Sequence, residues 1–172
     1  WQALQESLDM LAVGSQSRRD ELPDTFPEQT QAEVVCQQFL QGQLTNDVRD
    51  LADGGSQLSA YCTHKGRMMA SMRLLRQGDS ILMLLPPERL NAVMQRLRMF
   101  VLRSRVTLED ASDALIGIGA SGNKMVEHLC DIVGELPENV DQSIEHKDFT
   151  IVRVAGVVPR LVGREAGRLE CG

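Results

Sequence analysis

The stretch Leu40–Arg76 constrains the fold more than any other part of this 172-residue chain. After Arg67 its residues alternate in character, which is typical of a β-strand with one buried face, because successive strand side chains point to opposite sides. Gly66 can adopt the positive φ that a tight turn requires. We therefore predict a β-hairpin whose turn is His64–Arg67. The predicted buried face consists of Met68, Ala70, Met72 and Leu74, and the opposite face of Arg67, Met69, Ser71 and Arg73.

The rest of the chain predicts short strands interleaved with helices. Short apolar runs bounded by turn residues predict strands, and apolar residues that recur three and four apart predict helices. Because hairpins join most of the strands, the sheets should be largely antiparallel and the fold class α+β. The other predicted strands are Ile81–Leu85, Arg105–Leu108, Ala114–Ile118, Phe149–Val154 and Leu161–Val162. The predicted helices are Trp1–Leu11, Cys36–Gln41, Pro86–Val101 and Asn123–Val133.

The first 31 residues are predicted to form a separate N-terminal part. The predicted helix Trp1–Leu11 has apolar residues at helical spacing, and Gly14 follows as its C-cap. Ser15–Gln31 is polar and contains two prolines, so we predict a loop or linker. Only Val34–Val35 could supply a strand before the next helix.

The net charge of −6 conceals an uneven distribution. Between Lys65 and Arg105 there are nine Lys and Arg residues against Asp79 and Glu88, a net charge of +7. Two interpretations remain open: solvated arginines scattered over a strand and a helix, or a face that attracts an anionic ligand. Aromatic residues make up 3% of the chain, too few for the stacking platforms of RNA-binding modules, so RNA binding is the last of the alternatives.

Composition also restricts the class of protein. No apolar run approaches the roughly 20 residues that span a bilayer, so no membrane association is expected. The four cysteines form no C-x-x-C pair, and we expect reduced thiols in a cytoplasmic protein. Cys62 and His64 are too few to form a metal site, and none is predicted.

The segment Gly117–Gly122 matches the G-x-G-x-x-G pattern of dinucleotide sites. The chain lacks alternating β-α-β units, and the acidic residues about 20 positions on, Glu138 and Asp141, lie in a polar stretch. A tight turn between a strand and a helix is therefore the preferred interpretation.

Two motifs carry a resemblance to a known family. Gln41-Gly42-Gln43-Leu44-Thr45-Asn46-Asp47-Val48, followed by Cys62-x-x-Lys65-Gly66-Arg67, resembles the YgfZ family of folate-binding proteins, which is related to the T-protein (aminomethyltransferase) of the glycine cleavage system. The resemblance runs from about Phe39 to about Gly163. It implies a folate-binding domain over residues 32–172, built from two similar β-α-β halves.

The resemblance also sets an expectation for the C-terminus. The family carries a K-G-C-[YF]-x-G-Q-E segment and a small barrel domain, and this sequence stops before them. We expect either a fragment that covers most of the folate-binding domain or a truncated relative. Cys171 does not lie in that motif and inherits no role from it.

The resemblance implies tetrahydrofolate as the ligand, and the loop around Asp47 as its site. Asp47 could accept hydrogen bonds from the amino and ring N–H groups of a pterin, helped by Thr45 and Gln43. Lys65 and Arg67 could attract the glutamate tail. The alternatives are that Asp47 caps a helix or forms an Asx-turn, and that the two cations belong to a solvated turn.

The implied function is that of an accessory protein that supports iron–sulfur enzymes and tRNA modification, with tRNA as an indirect partner. Aminomethyltransferases carry a pair of aspartates on the strand after the turn, and in the same register this chain has Ala70 and Ser71. No catalytic residue is therefore predicted, and we lean against an enzyme. A folate-dependent one-carbon transferase, with Asp47 in the catalytic role, is the alternative.

Overall fold

The computed structural model describes residues 9–15, 28–78, 80–101, 104, 106–119, 123–146, 149–154 and 159–164. The chain forms two compact units, one over Leu8–Ala111 and one that begins at Ser112. The predicted boundary at residue 31 stays a prediction. In the described part of the chain, no helix is long and apolar enough to cross a membrane.

The first unit contains one five-stranded antiparallel sheet and two helices. Its elements are β1 (Asp9–Ser15), α1 (Glu28–Gln41), a 3-10 turn (Val48–Asp50), β2 (Ser56–Cys62), β3 (Met68–Gln77), β4 (Ser80–Leu85), α2 (Pro87–Val101) and β5 (Val106–Asp110). The strand order is β2-β3-β4-β1-β5, so β2 is an edge strand. One face of the sheet forms a core with both helices, in which Leu40, Leu74, Met83 and Leu97 are fully buried.

The second unit repeats part of this architecture, with elements that are shorter than their counterparts or equal to them in length. It contains β6 (Leu115–Gly119), α3 (Asn123–Val133), β7 (Ser143–His146), β8 (Phe149–Arg153) and β9 (Pro159–Arg164). Its sheet has the order β6-β9-β8-β7, and all its pairs are antiparallel. The order β2-β3-β4-β1 in the first sheet thus corresponds to the order β7-β8-β9-β6 in the second sheet. In each sheet the strand that comes first in the chain, β1 or β6, is followed by one helix, α1 or α3. The prediction of an α+β fold with two similar halves is confirmed.

The prediction was wrong for the start of the chain. Asp9–Ser15 is a strand, not the end of a helix, and it pairs with both β4 and β5. A strand with neighbours on both sides reads as a continuous apolar run, and Met10–Val13 is such a run. Val34–Val35 is not a strand, because α1 already begins at Glu28. Residues 1–8 and 16–27, where the rest of the predicted helix and linker falls, lie outside the described residues.

The hairpin is confirmed, and Gly66 has the expected positive φ of 74°. The prediction of one buried face on β3 was wrong at two positions. Met68 is 65% exposed, because a bulge opposite Tyr61 and Cys62 shifts the register beside the turn. Arg73 is only 5% exposed, since β3 is a central strand and both its faces are buried from Met72 to Leu75. Its guanidinium donates a 2.9 Å hydrogen bond to the hydroxyl of Ser56.

The second unit departs from prediction in one place. No strand is predicted between the helix Asn123–Val133 and the strand Phe149–Val154, where the sequence is polar, but the structure has the strand β7 there. The short polar sequence Ser143–His146 gives little apolar signal, and its pairing with β8 makes it a strand. The G-x-G-x-x-G segment begins within β6 and ends before α3, and residues 120–122, where the predicted turn falls, lie outside the described residues.

Candidate functional site

The segment Gly42–Val48, which we call the edge loop, runs antiparallel along the free edge of β2. Leu44 forms a β-bridge with Tyr61. The Thr45 amide donates to the Ala60 carbonyl at 3.0 Å, and the Ala60 amide donates to Thr45 Oγ1, also at 3.0 Å. The edge loop therefore satisfies backbone groups that an edge strand would otherwise leave open.

Side-chain amides fix the far end of the edge loop. The Val48 amide donates to Gln41 Oε1 at 2.7 Å, and Gln57 Nε2 donates to the Asp47 carbonyl at 3.0 Å. The carbonyl of Leu51, just beyond, accepts from Gln37 Nε2 at 3.2 Å and from Arg76 Nη1 at 3.1 Å. Contacts from α1, β2 and β3 thus hold the backbone around Asp47 in a single position. Gln37 and Gln57 were not singled out from the sequence, and Gln41 entered only as the first residue of the motif, because amides on a helix or strand carry no spacing signal.

Asp47 is the N-cap of the 3-10 turn that follows the edge loop. Its Oδ1 accepts from the Arg49 amide at 3.0 Å and from Arg49 Nε at 2.9 Å, and its Oδ2 pairs with Arg49 Nη2 at 2.5 Å. The side chains of Asp47 and Arg49 are 36% and 67% exposed. The hydrogen bonds and charge of Arg49 lower the pKa of Asp47 from 3.8 to about 2. Asp47 is therefore ionised at neutral pH and accepts hydrogen bonds only.

Gln43 and Thr45 flank this carboxylate along the edge loop. Gln43 is half-buried, and its side-chain amide bonds to no described residue, while its backbone amide donates to Leu40 at 2.9 Å. Thr45 is exposed, and its hydroxyl donates to Asn46 Oδ1 at 3.0 Å while accepting from Ala60. Both side chains lie on the exposed edge of the first unit.

Lys65 and Arg67 lie in the turn at the other end of β2. The Thr63 amide donates to the Arg67 carbonyl at 2.8 Å and closes the turn, and both cationic residues are exposed. Asp47 is hydrogen-bonded to Gln57, and the turn begins after Cys62, five residues further along the strand. At about 3.3 Å per residue, the distance along β2 between the carboxylate and the cations is roughly 17 Å or more. The carboxylate and the cations thus lie at opposite ends of a row of polar side chains.

The five predicted residues therefore share one edge of one sheet without forming a single cluster. From the turn, the order is Lys65 and Arg67, then Gln43 beside Leu44, then Thr45, then Asp47. Arg49 was missed from the sequence, although its position two residues after an N-capping aspartate is the signal that could have found it.

Known proteins are similar to this chain in sequence and in fold. No family model matches the chain. The tRNA-modifying protein YgfZ of Yersinia pseudotuberculosis serotype IB (strain PB1/+) is 31% identical over an alignment of 144 residues, and the match covers 77% of this chain and 43% of the relative. The protein of the same name from Pectobacterium carotovorum subsp. carotovorum (strain PC1) is 28% identical over 124 residues, 72% of this chain and 37% of that relative.

One solved structure has a fold similar to that of this chain. The glycine cleavage system aminomethyltransferase T from Bartonella henselae matches with a TM-score of 0.68 at 16% identity, over 90% of this chain and 39% of that one. The chain is YgfZ-like and has the fold of an aminomethyltransferase. This YgfZ-like chain spans less than half the length of the two curated relatives.

In the YgfZ-like chain the two positions predicted to replace the aspartate pair lie opposite β2. Ala70 is buried and pairs with Tyr61, and Ser71 is exposed and pairs with Ala60. Neither carries an acidic group. Among the described residues, no three His, Cys, Asp or Glu side chains are grouped where they could hold a metal ion.

The basic segment of the YgfZ-like chain is divided among several structural positions. Arg73 is buried, Arg76 donates to Leu51, and Arg98 Nη2 donates to the Leu108 carbonyl at 3.4 Å. The positive charge of Arg96 acts on Tyr61, where it opposes the rise in the pKa of Tyr61 that burial causes. Arg103 and Arg105 lie outside the described residues. Several of the arginines that suggested a cationic face therefore make contacts within the fold.

Proposed function

We propose that this YgfZ-like chain binds tetrahydrofolate along the edge loop, with the pterin at Asp47 and the glutamate tail toward the hairpin turn. The observation that carries the proposal is the order of the charges along β2. An ionised carboxylate lies at one end of the row, and two exposed cations lie at the other. A ligand with N–H donors at one end and carboxylates at the other complements such a row.

The pterin end of the ligand has the donors that Asp47 requires. Its 2-amino group and the adjacent ring N–H point the same way, so they can donate to the two oxygens of one carboxylate. Asp47 is suited to this contact because it is ionised and its backbone is held by Gln57. The Thr45 hydroxyl and the amide of Gln43 lie next along the edge loop and can bind the polar atoms between pterin and tail.

The cationic turn has the charge that the tail requires. Lys65 and Arg67 are exposed and have no ion-pair partner among the described residues, so their charge is not neutralised locally. A tail with several glutamates would gain more from this charge than a tail with one. By contrast, the 3-10 turn at the other end of the row exposes one cation and one anion, Arg49 and Asp50.

The proposed role is that of a cytoplasmic accessory protein for tRNA modification and for iron–sulfur enzymes. Its curated relatives are named tRNA-modifying proteins, which supports the first part. Binding without catalysis is preferred because Ala70 and Ser71 offer no carboxylate on β3, the strand that pairs with β2. Formaldehyde release from a methylated donor, lost in Asp47→Asn, would favour the transferase alternative instead.

Calorimetric titration of the chain with tetrahydrofolate, without oxygen, tests the proposal. We expect saturable binding that weakens by roughly 10-fold or more in Asp47→Asn, because hydrogen bonds to a charged acceptor are lost. Asp50→Asn is the matched control, since Asp50 is an exposed aspartate of the same 3-10 turn, and it should bind as the parent does. Equal loss in both variants, or binding that neither changes, would contradict the proposed site.

A further inference from the structure

The guanidinium of Arg49 contacts Asp47 in the way a pterin would. Arg49 Nε and Nη2 are two neighbouring N–H donors, and they donate to Oδ1 and Oδ2 respectively. A pterin presents the same pattern, because its ring N–H and 2-amino group belong to a guanidine-like N–C–N unit. Both groups require the same edge of the same carboxylate.

The carboxylate does not have room for both. An ionised carboxylate offers about four acceptor positions, two on each oxygen. Oδ1 already accepts from the amide and from Nε of Arg49, and Oδ2 accepts from Nη2. The single remaining position on Oδ2 cannot accept a parallel pair of donors. A bidentate ligand must therefore displace the guanidinium, although the backbone amide of Arg49 can stay.

Displacement of Arg49 is physically inexpensive. The Arg49 side chain is 67% exposed, so its guanidinium can leave the carboxylate and be hydrated at once. The Asp47 backbone stays in place during this exchange, because Gln57 and Gln41 hold it independently of Arg49. The exchange thus replaces one side chain and leaves the edge loop unchanged.

We propose that Arg49 is an internal competitor that occupies the pterin-binding edge of Asp47 and lowers the affinity for tetrahydrofolate. This inference rests on the proposed function and adds its regulation: a ligand binds only as Arg49 departs. Any group that attracts the guanidinium away from Asp47, such as an additional acidic residue of a partner, would raise the affinity.

Arg49→Met removes the competing donors and keeps most of the length of the side chain. We expect tetrahydrofolate to bind about 1.5- to 5-fold more tightly to this variant, as the loss of an exposed ion pair predicts. Arg89→Met is the control, because Arg89 is an exposed arginine on α2 of the same unit. It should leave the calorimetric Kd unchanged.

A double variant separates competition from a general effect of charge. With Asp47→Asn already present, Arg49→Met should give no further gain, because there is no carboxylate left to release. Thermal melts of all variants check that each one folds.

The outcomes distinguish this inference from the proposed function. Tighter binding in Arg49→Met alone, or binding that appears only in that variant, supports the competitor. Measurable binding by the parent that is unchanged or weaker in Arg49→Met overturns the competitor and leaves folate binding intact. No binding by the parent or by Arg49→Met overturns both.

Discussion

Thr45 and Ala60 are joined by two hydrogen bonds, and only one of them is a backbone pair. The Thr45 amide donates to the Ala60 carbonyl, but the Ala60 amide donates to the Thr45 hydroxyl, each at 3.0 Å. A side chain thus takes the place of a main-chain carbonyl at the edge of the sheet. This allows the backbone of the edge loop to leave the ladder before Asp47.

Thr45→Val should loosen this connection, because valine has the same shape without the hydroxyl. We expect unfolding to become easier by about 1 kcal/mol, the usual effect of losing one such hydrogen bond. Urea denaturation measures this, and hydrogen exchange at the Ala60 amide should become faster. Thr45→Ser keeps the hydroxyl and serves as the control. Equal stability of the valine and serine variants would contradict the structural role of this hydroxyl.

Gln41→Met tests the other end of the edge loop. Gln41 Oε1 accepts the amide of Val48, whose side chain is fully buried. Without that acceptor we expect a loss of about 1–3 kcal/mol in the free energy of unfolding, since a part-buried donor is left without a partner. Gln38→Met on the exposed side of α1 is the matched control and should change stability little. A similar effect of both substitutions would show that the amide of Val48 does not depend on Gln41.

The ion pair of Asp47 with Arg49 predicts a specific acid dependence. The pKa of Asp47 in the folded chain is about 2, below its ordinary value of 3.8. Because the pKa of Asp47 is lower in the folded chain than in the unfolded chain, its ionised form stabilises the fold above pH 3.8. This stability is lost as the pH falls through about 2. The difference in stability between the parent and Arg49→Met should therefore shrink over this range.

Titration of the Asp47 carboxyl carbon by NMR checks this directly. The midpoint should lie near 2 in the parent chain and move toward 3.8 in Arg49→Met. A parent midpoint near 3.8 would mean that the pair does not form in solution. At neutral pH Asp47 stays ionised, so it should add no pH dependence to ligand binding there.

The cationic turn predicts a dependence on the length of the glutamate tail. Changing both Lys65 and Arg67 to Gln should weaken binding of a polyglutamylated tetrahydrofolate by about 2- to 5-fold per charge removed, and that of the monoglutamate less. The effect should diminish at high salt, because these charges are exposed. Arg89→Gln controls for net charge. Equal weakening for both tail lengths would contradict a role of the turn in tail binding.

The sequence predicted those elements whose pattern is local. The hairpin, the helix Asn123–Val133 and the apolar strand before Pro86 needed only alternation, periodicity and turn residues. The N-terminal strand was missed because Leu11 continues the helical spacing of the apolar residues before it, and a run as short as Met10–Val13 fits either a strand or a buried helix. The burial of Arg73 was also hidden, because it depends on β3 being central in the sheet.

The candidate site was predictable in its residues and not in its arrangement. The motif around Asp47 and the turn around Gly66 were visible in the sequence, but their separation along β2 depends on how the edge loop docks. The contact of Arg49 with Asp47 depends on the 3-10 turn that brings residues two apart together.

The measurement that tests folate binding at this edge most directly is an amide NMR titration of the chain with tetrahydrofolate. We predict saturable shifts along one edge of the first unit, at Gln43, Thr45 and Asp47, at their neighbours on β2, and at Lys65 and Arg67. Saturable binding whose shifts are confined to residues after Ser112, or that leave the edge loop unchanged, would contradict it.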